Sequence, residues 1–511
     1  MKYAQPSLCA LLLIALAAGC SNSTESAPRF EDPPEPAFMD VVFTNPLQID
    51  HQWFPLYPGT VMVYQAIDDD DVETQVVEVL SQIRVIDGVA SRVVQKRVFE
   101  GDVLVESAED YFAQDDEGHV WSMGASTDEF EYDEAGSLVN ISHEGAWESG
   151  KDVAGKGYNA VAGIYIKALP VLNDSWHQEF YAGVAEGKAR VTGLEIVVTL
   201  ADGTKHNCLK VVETDEIETD EKESKDDIVF FKPGVGVVRE ENVGGDTVEL
   251  MGVFRQGSGT AMPVEADFSK STIIDNAFFP VRPGQLAQFV CRTGDAEIFT
   301  TVEATSRTRL VMGVPCVVVE FSTTDGESPV QERECWFCQD GAGNVWWMGQ
   351  VVFTSATEQP GAASPESWEA GKDGAAPGIL VMGDHGLMSS YQMEARSPAA
   401  GAWAMVVRRD ARVVLAGGTE FADCLQIVEW SAARPHELRY RFHHAGTGLL
   451  RVARTDGSEV FELVDPKCGG STIDGTATGA CAALGRSGFL TVGLVGLAFL
   501  ALALRVRSSR R

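Results

Sequence analysis

Short apolar runs broken by Asp, Gly and Asn make up most of the chain between residues 41 and 465. Typical runs are TVMVYQAI, ETQVVEVLSQIRVI, SRVVQKRVF and HVWSMG, which are rich in Val, Ile and aromatic residues. Runs of this kind, bounded by turn residues, are typical of β-strands. No long stretch places apolar residues at helical spacing. The pattern therefore predicts a mainly β protein made of antiparallel strands.

One part of this pattern occurs twice. YFAQDDEGHVWSMG begins at Tyr111 and WFCQDGAGNVWWMG begins at Trp336. Four further pairs keep the same order: IDHQWFPLYPG with IDNAFFPVRPG, WESGKD with WEAGKD, NCLKVVE with DCLQIVE, and PGVGVVRE with AGTGLLRV. Collinear matches indicate a tandem duplication. We expect two homologous antiparallel modules, residues 41–256 and 268–465, joined by a linker at 257–267. Each is predicted to be a meander curled into a sandwich or half-barrel.

The motifs FFPxxPG, QDxxGNVWxMG and WExGKD resemble those of a family of bacterial secreted and lipoprotein domains that has no established function. The resemblance covers both copies. It implies a recurrent extracytoplasmic module and points to no catalytic residue. The first copy departs from the family pattern where GKDGAAPGI is replaced by GKDVAGKGY.

The first 19 residues have the features of a secretory signal peptide. Lys2 precedes an apolar run that is too short to span a bilayer. The sequence Leu-Ala-Ala-Gly-Cys that ends at Cys20 resembles the lipobox of bacterial lipoproteins, which implies lipidation of Cys20. The alternative is a plain signal peptide with an incidental cysteine. Residues 20–40 are polar and rich in proline, and we expect a disordered tether.

At the other end, a linker at 466–487 precedes an uncharged apolar stretch, 488–504, and a basic tail, 505–511. The apolar stretch is long enough for a transmembrane helix, and the arginines predict a cytoplasmic tail. Cys481, the apolar stretch and the tail together resemble myxobacterial C-terminal sorting signals, which implies processing at Cys481. A simple tail anchor is the alternative. The two ends predict an extracytoplasmic, membrane-anchored protein of the cell envelope.

The chain carries 75 acidic and 40 basic residues, a formal net charge of −35. This charge repels phosphate backbones, so we expect no nucleic-acid partner. The membrane is the predicted partner. An apolar small molecule and an envelope protein, which the sequence does not identify, are further candidate partners.

Four cysteines occur only in the second copy: Cys291, Cys316, Cys335 and Cys338. A two-residue turn at Asp325-Gly326 would place Cys316 opposite Cys335 and leave Cys291 to pair with Cys338. We therefore predict two disulfides, because an oxidising compartment favours them. The alternative, suggested by CWFC, is a zinc site.

No HExxH, GxSxG, P-loop or dinucleotide fingerprint is present. The sequence predicts no catalytic residue, no metal ligand and no cofactor. The best leads are charged and aromatic residues shared by the copies: Trp121, Trp147, Lys151, Asp152, Trp346, Trp368, Lys372 and Asp373. They either fill the core and cap a turn, or line an aromatic cavity with Lys and Asp at its mouth.

The sequence favours a non-catalytic role, the binding of an apolar or amphipathic ligand in the cell envelope. The alternative is a structural or adhesive surface protein built from the duplicated module. A hydrolytic enzyme with an unrecognised site is the third hypothesis.

Overall fold

The computed structural model describes residues 33–464, apart from 69–70, 134, 144, 215–225, 243–246, 256–265, 294–295, 326–328, 355–363, 365 and 397–400. The predicted signal peptide, Cys20, Cys481, the predicted transmembrane segment and the basic tail lie outside the described residues. Within the described ranges, no helix is both long and apolar enough to cross a membrane. The chain divides into two compact units, Met1–Gln256 and Gly257–Arg511, here called module 1 and module 2.

Module 1 forms one 15-stranded antiparallel sheet, preceded by a 3-10 turn at Phe38–Asp40. Its strands are β1 (Thr60–Asp68), β2 (Asp71–Ile86), β3 (Val89–Glu100), β4 (Val103–Gln114), β5 (Val120–Tyr132), β6 (Leu138–Ser142), β7 (Trp147–Glu148), β8 (Val161–Ile166), β9 (Ser175–His177), β10 (Glu179–Phe180), β11 (Lys188–Thr199), β12 (Lys205–Thr214), β13 (Asp226–Lys232), β14 (Gly236–Asn242) and β15 (Thr247–Arg255).

Module 2 forms one 13-stranded antiparallel sheet. Its strands are β16 (Leu286–Thr293), β17 (Ala296–Val311), β18 (Val314–Thr324), β19 (Pro329–Gln339), β20 (Val345–Thr354), β21 (Trp368–Glu369), β22 (Gly378–Val381), β23 (Ser390–Ala395), β24 (Gly401–Val414), β25 (Glu420–Ser431), β26 (Arg434–His444), β27 (Gly448–Arg454) and β28 (Val460–Leu463).

The two modules share one topology. A five-stranded meander, β1–β5 or β16–β20, is followed by short strands and then by a second meander, β11–β15 or β24–β28. The last strand returns to pair with the first, β15 with β1 and β28 with β16. The prediction of a mainly β chain with two antiparallel modules is confirmed.

Each sheet curls until its ends nearly meet. In module 1 the terminal strands β9 and β10 are separated only by Gln178, so one segment pairs with both ends of the sheet. In module 2, Ala376 bridges to Ala395 at the end of β23. A glycine occupies the point of closest approach in both copies. A Cβ on Gly163 would clash with the Gln178 backbone, and one on Gly378 would clash with the Met393 backbone.

The described residues of module 1 form two larger apolar clusters, here called the inner and the outer layer, and a smaller cluster around Trp147. The inner layer contains residues from nearly every strand, among them Tyr64, Val94, Phe112 and Val211. The outer layer lies on β2–β5 and β8 and includes Trp121 and Met123; the segment around Phe38 covers it. In module 2 the corresponding side chains form one continuous core.

The predicted cross-strand partners in module 2 are wrong. β18 and β19 are joined by four residues, 325–328, rather than by a two-residue turn at Asp325-Gly326. The register consequently shifts by three positions, and Val319 lies opposite Cys335. Since a strand advances about 3.3 Å per residue, Cys316 and Cys335 are roughly 10 Å apart along the sheet. The structure therefore contradicts a Cys316–Cys335 disulfide.

The second predicted disulfide, Cys291–Cys338, is contradicted as well. β16, which holds Cys291, is three strands away from β19. Neighbouring strands are about 4.8 Å apart, so this separation far exceeds the roughly 7 Å limit between Cα atoms for a disulfide. The Cys291 thiol is instead hydrogen bonded to the Glu459 carboxylate at 3.5 Å.

Candidate functional site

The QDxxGNVWxMG motif contains the turn that joins β4 to β5 in module 1 and β19 to β20 in module 2, and its aspartate accepts hydrogen bonds that hold this turn. Asp115 accepts hydrogen bonds from the backbone N–H of His119 at 2.8 Å and from the Trp121 indole at 2.8 Å. Asp340 makes the same bonds to Asn344, at 2.9 Å, and to the Trp346 indole, at 2.9 Å. The indole N–H of Trp121 and of Trp346 is therefore already hydrogen bonded within the fold.

Both tryptophans lie beneath the N-terminal segment of their module. The Phe38 ring packs on Trp121 with 5.4 Å between ring centroids, and the Phe268 ring lies 6.4 Å from Trp346. Trp121 and Trp346 are buried in the outer layer and the module 2 core, respectively. Of the two readings of these shared residues, the structural one applies to this pair.

The final glycine of the motif lets a second segment cross the sheet. Gly349 has φ +140°, and a Cβ at this position would lie 2.5 Å from the Trp368 carbonyl oxygen. Gly124, at φ +153°, would place a Cβ 2.6 Å from the Trp147 carbonyl oxygen. The close approach allows β21 and β7 to pair with β20 and β5. The WExGK segment also contacts the hairpin formed by β2 and β3 in module 1 and by β17 and β18 in module 2, here called the hairpin arm.

In module 2 this contact assembles a charged and aromatic cluster. The Arg309 guanidinium lies over the Trp336 ring, 3.9 Å from its centroid, and donates to Glu369 at 2.6 Å. The Lys372 ammonium reaches the other oxygen of Glu369 at 2.9 Å. One carboxylate thus holds two cations, one of which stacks on an aromatic face.

Module 1 repeats the arrangement at equivalent positions. The Arg84 guanidinium lies 4.7 Å from the Tyr111 ring centroid and donates to Glu148 at 2.6 Å. Lys151 forms an ion pair with the second oxygen of Glu148. Arg84 also donates to the Tyr111 hydroxyl at 2.9 Å, a contact that tryptophan cannot offer.

The module 2 cluster lines an open cleft of about 460 Å³. Its walls carry donors and acceptors side by side with apolar groups: Arg309, Glu334, Trp336, Gln350, Val351, Phe353, Ser367, Trp368, Glu369, Lys372 and Asp373. Among the described residues, no acceptor reaches the buried indole N–H of Trp336 or Trp368. The equivalent Trp147 indole N–H in module 1 also has no partner in this part of the chain.

The two shared aspartates differ in their contacts. Asp152 accepts from the backbone N–H groups of Lys156, at 2.6 Å, and Gly157, at 2.7 Å, and from the Tyr181 hydroxyl. It therefore caps a turn. The Tyr181 hydroxyl bond, together with the backbone bonds, lowers the pKa of Asp152. Asp373 lies in the cleft wall at a positive φ of 51°.

The ionised form of the Glu369 carboxylate is favoured in module 2. Burial alone would raise the pKa of Glu369, but the hydrogen bonds from Lys372 and Arg309 outweigh it, and the pKa lies below its ordinary value. The charged form is thus maintained at neutral pH, and both cations stay fixed at the edge of the cleft.

Trp368, Lys372 and Asp373 line the cleft, whereas Trp346, which the sequence placed in the same predicted group, does not. Sequence reasoning missed Arg84 and Arg309, although the two arginines occupy the same place in SQIRVIDGV and SRTRLVMGV. Glu148 and Glu369 lie within the WExGKD motif but are not among the site residues that the sequence predicts. A position-by-position comparison of the copies would have found all four.

A second feature that sequence reasoning missed is a group of carboxylates on the inner face of module 1. Glu213 and Asp227 are cross-strand neighbours on β12 and β13, and Glu240 lies on the adjacent β14. Burial raises the pKa of Asp110 and of Glu213 to about 7. Burial, and then the neighbouring Asp227, raise the pKa of Glu240 well above its ordinary value.

In the described part of module 2, the positions equivalent to Asp110, Glu213 and Glu240 have different surroundings or different residues. Cys335 stands in the place of Asp110 and Val452 in the place of Glu240, while Glu429, the counterpart of Glu213, forms an ion pair with the fully buried Arg441. The described residues contain no group of three or more His, Cys, Asp or Glu side chains that could hold a metal ion. The cluster around WExGK, in contrast, has the same arrangement in both modules.

Comparison with known proteins gives no relative: no family model matches the sequence, and no curated protein is significantly similar to it. The resemblance to secreted lipoprotein domains stays a prediction.

Proposed function

We propose that the protein is a non-catalytic, membrane-anchored binding protein of the cell envelope, which recognises an amphipathic ligand through the cleft beside WExGK. The observation that carries this proposal is the repetition of one cluster, cation over aromatic ring, shared carboxylate and exposed lysine, at equivalent positions in both modules. The Lys372 and Lys151 side chains are 62% and 59% exposed, so each can donate hydrogen bonds to a ligand.

The composition of the cleft favours a ligand with a polyhydroxylated head. Arg309 and Lys372 supply donors, and Glu334 and Asp373 supply acceptors. Hydroxyl groups can donate to the carboxylates and accept from the cations, whereas an anionic head would face the carboxylates unfavourably. Val351, Phe353 and the aromatic rings offer apolar surface for the remainder of the ligand. A sugar head on an alkyl or acyl chain matches this combination.

The proposal is tested with octyl glucoside below its micellar concentration and with dihexanoyl phosphatidylglycerol as an anionic comparison. Binding is followed by calorimetry and by tryptophan fluorescence, because Trp336 and Trp368 line the cleft. We expect octyl glucoside to bind the more tightly. Lys372→Ala and Asp373→Ala should each weaken binding about tenfold, which corresponds to the loss of one hydrogen bond.

Arg412→Ala is the matched control, since Arg412 pairs with Glu420 on an exposed part of module 2 and does not line the cleft. Equal binding by Lys372→Ala, Asp373→Ala and the unmodified protein would refute the site. Preference for the phosphatidylglycerol would refute the ligand class.

One observation favours the structural or adhesive alternative. Val85 and Leu310, at equivalent places in the hairpin arms, are 65% and 67% exposed. Apolar side chains exposed at the same position in both copies suit a protein contact. If this alternative holds, sedimentation velocity will show concentration-dependent association that Val85→Ser and Leu310→Ser abolish.

A further inference from the structure

Two cysteines of module 2 lie against one another across neighbouring strands. The register of β18 and β19 pairs Val317 with Phe337. Cys316 precedes Val317 and Cys338 follows Phe337, so the same antiparallel register places the two cysteines opposite each other. Both cysteine side chains are fully buried, and the neighbouring Cys316 thiol raises the pKa of Cys338. They belong to the same apolar core as Trp336 and Trp346.

We propose that Cys316 and Cys338 form a disulfide that ties β18 to β19. Residues directly opposed in an antiparallel pair have Cβ atoms about 4.5–5.5 Å apart, close to the separation that a disulfide requires. The other described cysteines of this module have different neighbours. Cys335 faces Gln350 at 3.8 Å, Cys291 contacts Glu459, and the thiol of Cys424 lies near the Phe421 and Ala422 carbonyls.

The bond forms by thiol–disulfide exchange with a protein or small-molecule disulfide as oxidant. One cysteine thiolate attacks the oxidant, breaks its S–S bond and expels one thiolate, leaving a mixed disulfide. The second cysteine then attacks the mixed disulfide and expels the other thiolate. Two electrons and two protons thus pass from the cysteine pair to the oxidant, which leaves as two thiols.

Burial of the two thiols restricts this reaction to the period in which the module folds. Neither thiol is exposed in the folded module, and the neighbouring Cys316 thiol, followed by burial, raises the pKa of Cys338. Exchange requires an accessible thiolate, so the disulfide forms while β18 and β19 are coming together. After folding, the same burial protects the bond from reductants.

Module 1 offers the matched control. Ser91 and Ala113 stand where module 2 has Cys316 and Cys338, and both are buried between the same strands. The double variant Cys316→Ser, Cys338→Ala therefore reproduces a pair that already packs in this fold. A second control, Cys335→Ser, removes a thiol that the proposal leaves reduced.

The full chain is unfolded and reduced, then refolded in a mixture of reduced and oxidised glutathione. Free thiols are alkylated in denaturant, and the protein is digested with chymotrypsin, which cleaves after Trp336 and Phe337 and so separates Cys335 from Cys338. We expect a cross-linked peptide pair containing Cys316 and Cys338, with Cys335 alkylated. The midpoint of urea unfolding of module 2 should fall when reductant is added, and the double variant should not respond to reductant.

Alkylation of both Cys316 and Cys338 in the refolded protein would overturn the proposal, as would a cross-link from Cys316 to Cys335. Retention of zinc by the native protein, lost in the double variant, would overturn it too. A Cys335→Ser variant that fails to form the cross-link would show that the pairing depends on a third thiol, against the assignment.

Discussion

Individual residues of the duplicated motifs have separable roles, and the glycine that ends each motif shows this most directly. Gly349 combines a positive φ with close contact to the Trp368 carbonyl oxygen. Gly374 also has a positive φ, +81°, but no heavy atom lies within 4 Å of its missing Cβ. The two positions therefore separate backbone strain from steric exclusion.

We predict that Gly349→Ala destabilises module 2 by about 3 kcal/mol, since it adds a clash to the strain, while Gly374→Ala costs about 1 kcal/mol. Urea unfolding followed by tryptophan fluorescence measures both values. Equal losses for the two variants would mean that the crossing segment moves aside freely.

The aspartate of the same motif is predicted to act through its indole partner. Asp340→Ala should cost about 1–3 kcal/mol, because buried donors lose their acceptor. In a double-mutant cycle with Trp346→Phe, part of this cost should disappear, since the phenylalanine ring has no N–H to satisfy. Strict additivity of the two substitutions would contradict the Asp340–Trp346 bond.

At the scale of elements, the short strands β7 and β21 depend on side-chain anchors. Each contains two residues and pairs with the sheet at only two positions. Glu148 and Glu369 add ion pairs to the hairpin arm and to the following lysine. The anchors hold the WExGK segment in the position that forms the cleft.

We predict that Glu369→Ala speeds hydrogen exchange of the backbone at residues 368–375 and leaves β24–β27 unchanged. The reason is that two cations lose their common partner, which releases the segment locally. Exchange followed by mass spectrometry measures the effect, with Arg412→Ala as the control. A uniform change over module 2 would show that Glu369 stabilises the whole module instead.

At the scale of the whole molecule, the modules share a topology but differ in the chemistry of their interiors. The inner face of module 1 carries Asp110, Glu213 and Glu240 with raised pKa values. In module 2, Arg441 lies beside the counterpart of Glu213. We expect the modules to differ in how their stability depends on pH.

The sign follows from the direction of the shifts. A carboxyl whose pKa is higher in the folded state binds more protons there than in the unfolded chain. Its stabilising effect is complete below about pH 4 and is lost as the pH rises through about 7. Each such group lowers the free energy of unfolding by up to about 1.4 kcal/mol per pH unit in this interval.

We therefore predict that module 1 loses stability between pH 5 and pH 8 and that Asp110→Asn reduces this loss. Hydrogen exchange, corrected for the intrinsic pH dependence of the rate, resolves the peptides of β12–β14 from those of β25–β27. A pH response of equal size in both modules would contradict the role of the acidic interior.

Much of the architecture was predictable because it depends on local pattern and on repetition. Alternating apolar residues and turn residues specify antiparallel strands wherever one face is buried, and five collinear matches identify two modules. The pairing of Cys316 was not predictable from the turn motif. Four residues join β18 to β19, and the register is shifted by three positions from the predicted one. The residue opposite Cys316 is consequently Cys338 rather than Cys335.

The β class, the duplication, and the presence of Lys372 and Asp373 in the WExGKD motif follow from the sequence, since they depend on local pattern and on repetition. Tertiary structure alone decided that Arg309, Trp336 and Glu369, which come from three strands, meet at one cleft. It also decided that Trp346 belongs to the core and that carboxylates from β4, β12 and β14 face one interior. Curvature and register bring such distant positions together, and neither is specified by any single stretch of the chain.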